Sequence, residues 1–125
     1  MDKPRSATIG YPYIGGVLSV NRYKYHGTHV TRTEVKDWMQ GLGWMIKAYH
    51  IEGWKLPIKI KVGGVFKDKR SCPDIHNLLK PICDSIEEVT GINDRGYETE
   101  TSEPIIDKWC DEPMLFITVA EGGNQ

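Results

Sequence analysis

Residues 57–66 read PIKIKVGGVF, and the order of side chains within them decides the architecture. Ile58, Ile60 and Val62 alternate with Lys59 and Lys61. A period of two sends successive side chains to opposite faces of a strand, so this segment predicts a strand with one buried and one wet face. Gly63 and Gly64 break the alternation and are read as a bulge or bend. On the N-terminal side, Val35, Trp38, Met39, Leu42, Met45, Ile46 and Tyr49 recur at helical spacing, predicting a helix capped by Thr31 or Thr33 and reaching about His50. Gly41 and Gly43 lie inside it, each costing about 1 kcal/mol relative to Ala. Before it, VLSVNRY (17–23) has the short alternation of a strand running into the polar loop KYHGTH (24–29). On the C-terminal side, KDKRSCP (67–73) is a charged loop, and a second helix covers roughly residues 75–90 before Gly91 ends it. MLFITVA (114–120) is expected to be a buried strand and GYETETSEPII (96–106) an exposed one. Strand, helix, strand, helix, strand describes an α+β fold, a two-layer sandwich of a small mixed sheet and two main helices.

A chain of 125 residues with 39% hydrophobic content suffices for one core, so one domain spanning 1–125 is expected. No run approaches the roughly 18 apolar residues of a membrane span, and MDKPRSATIG lacks an apolar signal core. A cytoplasmic protein without a membrane partner is the expectation. Cys72, Cys83 and Cys110 form no C-x-x-C pair, which argues against a disulfide framework or a thiolate zinc site. The net charge of -1 hides an asymmetry: residues 21–80 hold 12 basic and 5 acidic side chains, residues 81–125 hold 2 and 11. That split suits either a basic face for a polyanion beside an acidic cluster, or a solvated surface whose charges cancel across the fold.

The chemistry concentrates in PDIHNLLKPICD (73–84). On a helical wheel Ile75, Leu78, Leu79, Ile82 and Cys83 gather on one arc, while His76, Lys80 and Asp84 line up at i, i+4 and i+8 on the other. Asn77 flanks that row and Asp74 stands at its N-terminal end. Taken singly, Asp74 reads as an N-cap, Lys80 with Asp84 as a surface ion pair, and Asp94 as a turn residue in GINDR (91–95). Pro81 complicates the segment. Either it lies inside the helix and deletes a hydrogen bond to the Asn77 carbonyl, or the helix starts near Lys80 with Pro81 at its first position. Both place irregular backbone beside polar groups.

In this order and at these separations, SVNRY (19–23), PDIHNLLKPICD and GINDR resemble the RusA family of Holliday junction resolvases, over roughly residues 19–120. The resemblance implies a small α+β homodimer that cuts four-way junction DNA with magnesium and needs no small-molecule cofactor. Its D-x-D-N-x-x-K pattern maps the first acid to Asp74, the asparagine to Asn77, the lysine to Lys80 and the acid of the later turn to Asp94. His76 stands where the second acid is expected, and Asn93 replaces an acid often paired with the one at Asp94. The implied catalytic set is therefore Asp74, His76, Lys80 and Asp94, with Asp74, His76 and Asp94 around the metal. Imidazole in place of carboxylate weakens the fit to Mg2+ and favours Mn2+, unless His76 holds a water or acts as general base. Asp84 either supplies the missing carboxylate or orients Lys80. Asn77, Lys67, Lys69, Arg70, Asn21 and Arg22 are the expected DNA contacts. Symmetric cutting needs two sites on a two-fold axis, which a homodimer supplies. A catalytically inactive junction or nucleic-acid binding module is the alternative. A small-molecule hydrolase has no support, because G-x-S-x-G, P-loop and H-E-x-x-H motifs are absent.

Overall fold

A computed structural model describes residues 5–122. In chain order its main elements are β1 (Ser6–Pro12), α1 (Thr33–Lys47), β2 (Ile58–Phe66), α2 (Leu79–Thr90), β3 (Tyr97–Thr101), β4 (Ile105–Ile106) and β5 (Met114–Ala120). They form the expected α+β fold, a five-stranded mixed sheet with two helices. The sheet runs β1-β5-β2-β3. β5 is antiparallel to both β1 and β2, whereas β3 and then β4 lie parallel to β2 along its other edge. The alternation in β2 holds: Ile58, Ile60, Val62 and Phe66 are fully buried, and Lys59 and Lys61 are exposed. Leu115, Ile117 and Val119 of β5 join them beneath Val35, Leu42 and Ile46 of α1 and Ile82 and Ile86 of α2. The opposite face of the sheet is open, with Thr8, Lys59, Glu98 and Phe116 exposed.

Four expectations shift. The pair Gly63 and Gly64 makes no bulge, since both keep register with Phe116 and Leu115. They mark a close approach: a Cβ at Gly63 would collide with the Ser102 hydroxyl, and one at Gly64 would stand 2.7 Å from the Phe66 ring. At this point the neighbour of β2 changes from β3 to β4. Residues 17–23 form no strand. Their buried members, Leu18 and Tyr23, lie five apart, and the Ser19 carbonyl accepts from both Arg22 and Tyr23 N–H groups in a tight turn. The fifth strand is β1, where Gly10 and Pro12 disguise the inward row Ala7, Ile9 and Tyr11. Finally, α1 follows Arg32 without a side-chain cap and stops at Lys47, because the chain must reverse through His50 to bury Ile51 and Trp54. The two glycines in α1 are explained by contact. A Cβ at Gly41 would strike the Tyr11 hydroxyl, and one at Gly43 would come within 2.9 Å of Val89 on α2.

At the sheet's far corner, Glu121 is buried and fully partnered. It accepts from Arg5 Nη2 at 3.1 Å, Arg5 N–H at 2.9 Å and Lys55 N–H at 3.0 Å. The Arg5 side chain and these two amides hold its carboxyl down at about 2. A depressed folded value means the stabilisation is complete above the ordinary carboxyl range near ~4.3 and disappears as pH falls through about 2. Glu121→Gln is expected to lower the melting temperature at neutral pH and to have a much smaller effect near pH 2, as circular dichroism melts at three pH values will show.

Candidate active site

The segment before α2 is a 3-10 turn, Ile75–Leu78, opened by Asp74. The Asp74 carboxylate accepts from the His76 N–H at 3.1 Å, so its capping role is realised. α2 proper begins at Leu79, which puts Pro81 in the first turn, where a missing N–H costs no intrahelical bond. Gly91 closes the helix at φ 73, and Asn93 then opens a second 3-10 turn, Asp94–Gly96, by accepting from the Arg95 N–H at 3.0 Å.

That turn swings Asp94 back toward the polar face of α2. Lys80 Nζ lies 3.7 Å from Asp94 Oδ2 and 3.1 Å from Asp84 Oδ1. Asp84 is fixed in turn by Tyr23, whose hydroxyl donates to Oδ2 at 2.9 Å. Burial pushes the Tyr23 phenol up to about 12, helped by this bond to Asp84. The same carboxylate raises the Lys80 pKa and keeps its ammonium charged. His76, Lys80 and Asp94 line one shallow depression together with Val20, Thr99 and Cys83. Burial raises the Cys83 thiol to about 11, so it offers no thiolate.

Asp74 and Asn77 line the neighbouring groove with Asn21, Arg22 and Arg70. The division follows from the 3-10 turn, in which residues three apart eclipse one another and the residue between faces elsewhere. Val20 ties the two depressions together, its N–H donating to the Asn77 carbonyl at 2.7 Å. Lys67 and Lys69 are exposed on the adjoining loop, shaped by Asp68 as it accepts from the Ser71 N–H and hydroxyl at 2.8 Å each. Thus the structure brings His76, Lys80 and Asp94 together and sets Asp74 with the basic and amide groups. The donors offered for a metal do not converge: among the described residues no three His, Cys, Asp or Glu side chains are arranged to hold an ion. Sequence reading gave no role to Tyr23 or Thr99. Tyr23 reaches the site across 61 residues of chain, a contact with no local signature.

The site thus combines a carboxylate pair around one ammonium with a groove and loop that carry exposed basic side chains. The chain belongs to the RusA endodeoxyribonuclease family: the model of that family, described as Endodeoxyribonuclease RusA, matches residues 17–120. No curated protein matches the chain.

Proposed function

We propose that this endodeoxyribonuclease resolves four-way DNA junctions as a homodimer, by paired symmetric hydrolysis of two phosphodiesters. The observation that carries the reading is the shared depression of His76, Lys80 and Asp94, with the ammonium held at fixed distances from two carboxylates. In hydrolysis a water oxygen forms a new bond to phosphorus, one bridging P–O bond breaks, and the leaving sugar oxygen takes up a proton. His76 receives the proton lost by water, and Lys80 offsets charge on the phosphoryl oxygens. Arg70, Asn21, Arg22 and Asn77 in the adjoining groove, with Lys67 and Lys69 beside it, contact flanking phosphates, so affinity falls steeply with salt.

A divalent cation, Mg2+ or Mn2+, belongs to the same reading. Two carboxylates around one lysine leave the depression with a net negative charge where a phosphate must sit, and an added cation reverses that sign. Gathering Asp74, His76 and Asp94 about an ion requires side-chain rearrangement from the arrangement seen. Among the described residues no three donors stand preformed around an ion, which favours a second reading, a binding module that grips junctions without cutting them.

Incubating the protein with a mobile four-way junction and either Mg2+ or Mn2+ separates the two. Paired symmetric nicks support the enzyme; binding without nicks under both ions overturns it in favour of the binding module. Asp94→Asn is expected to keep junction affinity and lose nicking, and undiminished nicking would remove Asp94 from the site.

A further inference from the structure

Tyr23 is buried, 4% exposed, and its hydroxyl donates to Asp84 Oδ2 at 2.9 Å. A phenylalanine ring would fill the same space without burying an oxygen, so the hydroxyl matters to the fold only through this one bond. Its backbone is held on both sides. The Tyr23 N–H donates to the Ser19 carbonyl and the Tyr23 carbonyl accepts from the Arg32 N–H, each at 2.9 Å. The ring is thus aimed at α2 from a fixed turn, and burial, which pushes the phenol up to about 12, keeps it a donor at neutral pH.

At the other end of the contact, Asp84 divides its two oxygens. Oδ2 takes the Tyr23 hydroxyl and Oδ1 faces Lys80 Nζ at 3.1 Å. A carboxylate held by one oxygen cannot turn about its Cβ–Cγ bond without losing that contact, so the other oxygen stays aimed at the ammonium. Lys80 needs such a guide. Its flexible four-carbon stem is half-exposed, and Lys before Asp at i, i+4 is the weaker order on a helix. Asp94 Oδ2 also competes for the same ammonium from 3.7 Å.

We propose that Tyr23 and Asp84 are positioning residues for the hydrolysis: the buried hydroxyl orients the Asp84 carboxylate, which holds the Lys80 ammonium in the depression it shares with His76, nearer to Asp84 than to Asp94. The inference rests on the role given to Lys80 above, and it assigns Asp84 to orientation and not to the missing carboxylate ligand. It also connects cutting to the turn at 19–23, whose Asn21 and Arg22 line the adjoining groove.

The test measures single-turnover junction cleavage and junction affinity, with Mg2+ and with Mn2+, for Tyr23→Phe and Asp84→Asn in the wild-type and Lys80→Met backgrounds. Tyr23→Phe is expected to slow cleavage roughly 10- to 100-fold at unchanged affinity, the scale of a displacement of about 1 Å at a reacting centre. Asp84→Asn keeps an acceptor for the hydroxyl but faces the ammonium without charge, and is expected to fall in the same range. In the Lys80→Met background neither change slows cleavage beyond about twofold, because the group they orient is gone. If Tyr23→Phe does not fold, as judged by circular dichroism, Asp84→Asn alone carries the comparison. Wild-type rates in both single variants, with Lys80→Met slowed, overturn this inference alone. Equal slowing in both backgrounds assigns the pair to structure or to metal binding and overturns it as well. Lys80→Met cutting within about tenfold of wild type defeats the role of Lys80 and its positioning together. A wild-type protein that does not cut under either ion defeats the enzyme reading and this inference with it.

Discussion

Lys80→Met is expected to slow single-turnover junction cleavage about 10²- to 10³-fold while leaving junction affinity nearly unchanged. The magnitude is that of removing one preorganised charge from the position where negative charge develops. The preorganisation is visible: Tyr23 fixes Asp84, Asp84 holds the ammonium at 3.1 Å, and Asp94 approaches it at 3.7 Å. Binding is spread over many phosphates, so one cation among the basic residues of the groove and loop contributes little to it. Stability is expected to change little, because half-exposed ion pairs contribute about 0–1 kcal/mol and Asp84 keeps its bond to Tyr23. Lys80→Arg is expected to recover only part of the rate, since a planar guanidinium places its charge differently from a compact ammonium. Quench-flow rates beside gel-shift affinities decide the matter. Cleavage within tenfold of wild type would leave Lys80 as a surface ion pair and nothing more.

How far the sequence could be read depends on the range of the interaction behind each feature. The β2 face was legible because Ile58, Ile60 and Val62 alternate with lysines within five residues, and α2 because its apolar arc recurs over three turns. β1 was not. Gly10 and Pro12 carry the signature of a turn, and only pairing with β5, more than 100 residues away, makes them strand. In the same way the alternation at 17–23 was a false signal, overridden by the turn at Ser19 and by the burial of Tyr23 against Asp84. At the site, the row of His76 and Lys80 follows from local spacing, whereas Asp94, by itself a turn residue, enters only through the family resemblance. The separation of Asp74 from that row does not follow from spacing, because the wheel assumes 100° per residue and a 3-10 turn advances by about 120°.

The second large effect concerns what holds the basic loop in place. Phe66→Ala is expected to cost about 3–5 kcal/mol, the range for deleting a buried ring and leaving a cavity. That is a large fraction of the roughly 5–15 kcal/mol by which a domain is stable. Phe66 is fully buried at the last position of β2 and meets Tyr13 edge-on, with centroids 5.6 Å apart at 86°. Tyr13 lines the groove that holds Asp74 and Arg70, and the residue after Phe66 begins the loop bearing Lys67 and Lys69. One ring thus ties the groove and the loop proposed to contact DNA to the core. Phe66→Leu keeps most of the apolar volume and is expected to lose roughly 1–2 kcal/mol. Urea titrations should show both midpoints falling at an unchanged slope, which identifies a loss of native packing and not a change in the unfolded chain. If Phe66→Ala costs less than about 1 kcal/mol, this ring does not set the end of β2. The loop would then owe its shape to its own hydrogen bonds, those from Ser71 to Asp68, and its cations would be positioned independently of the core beneath them.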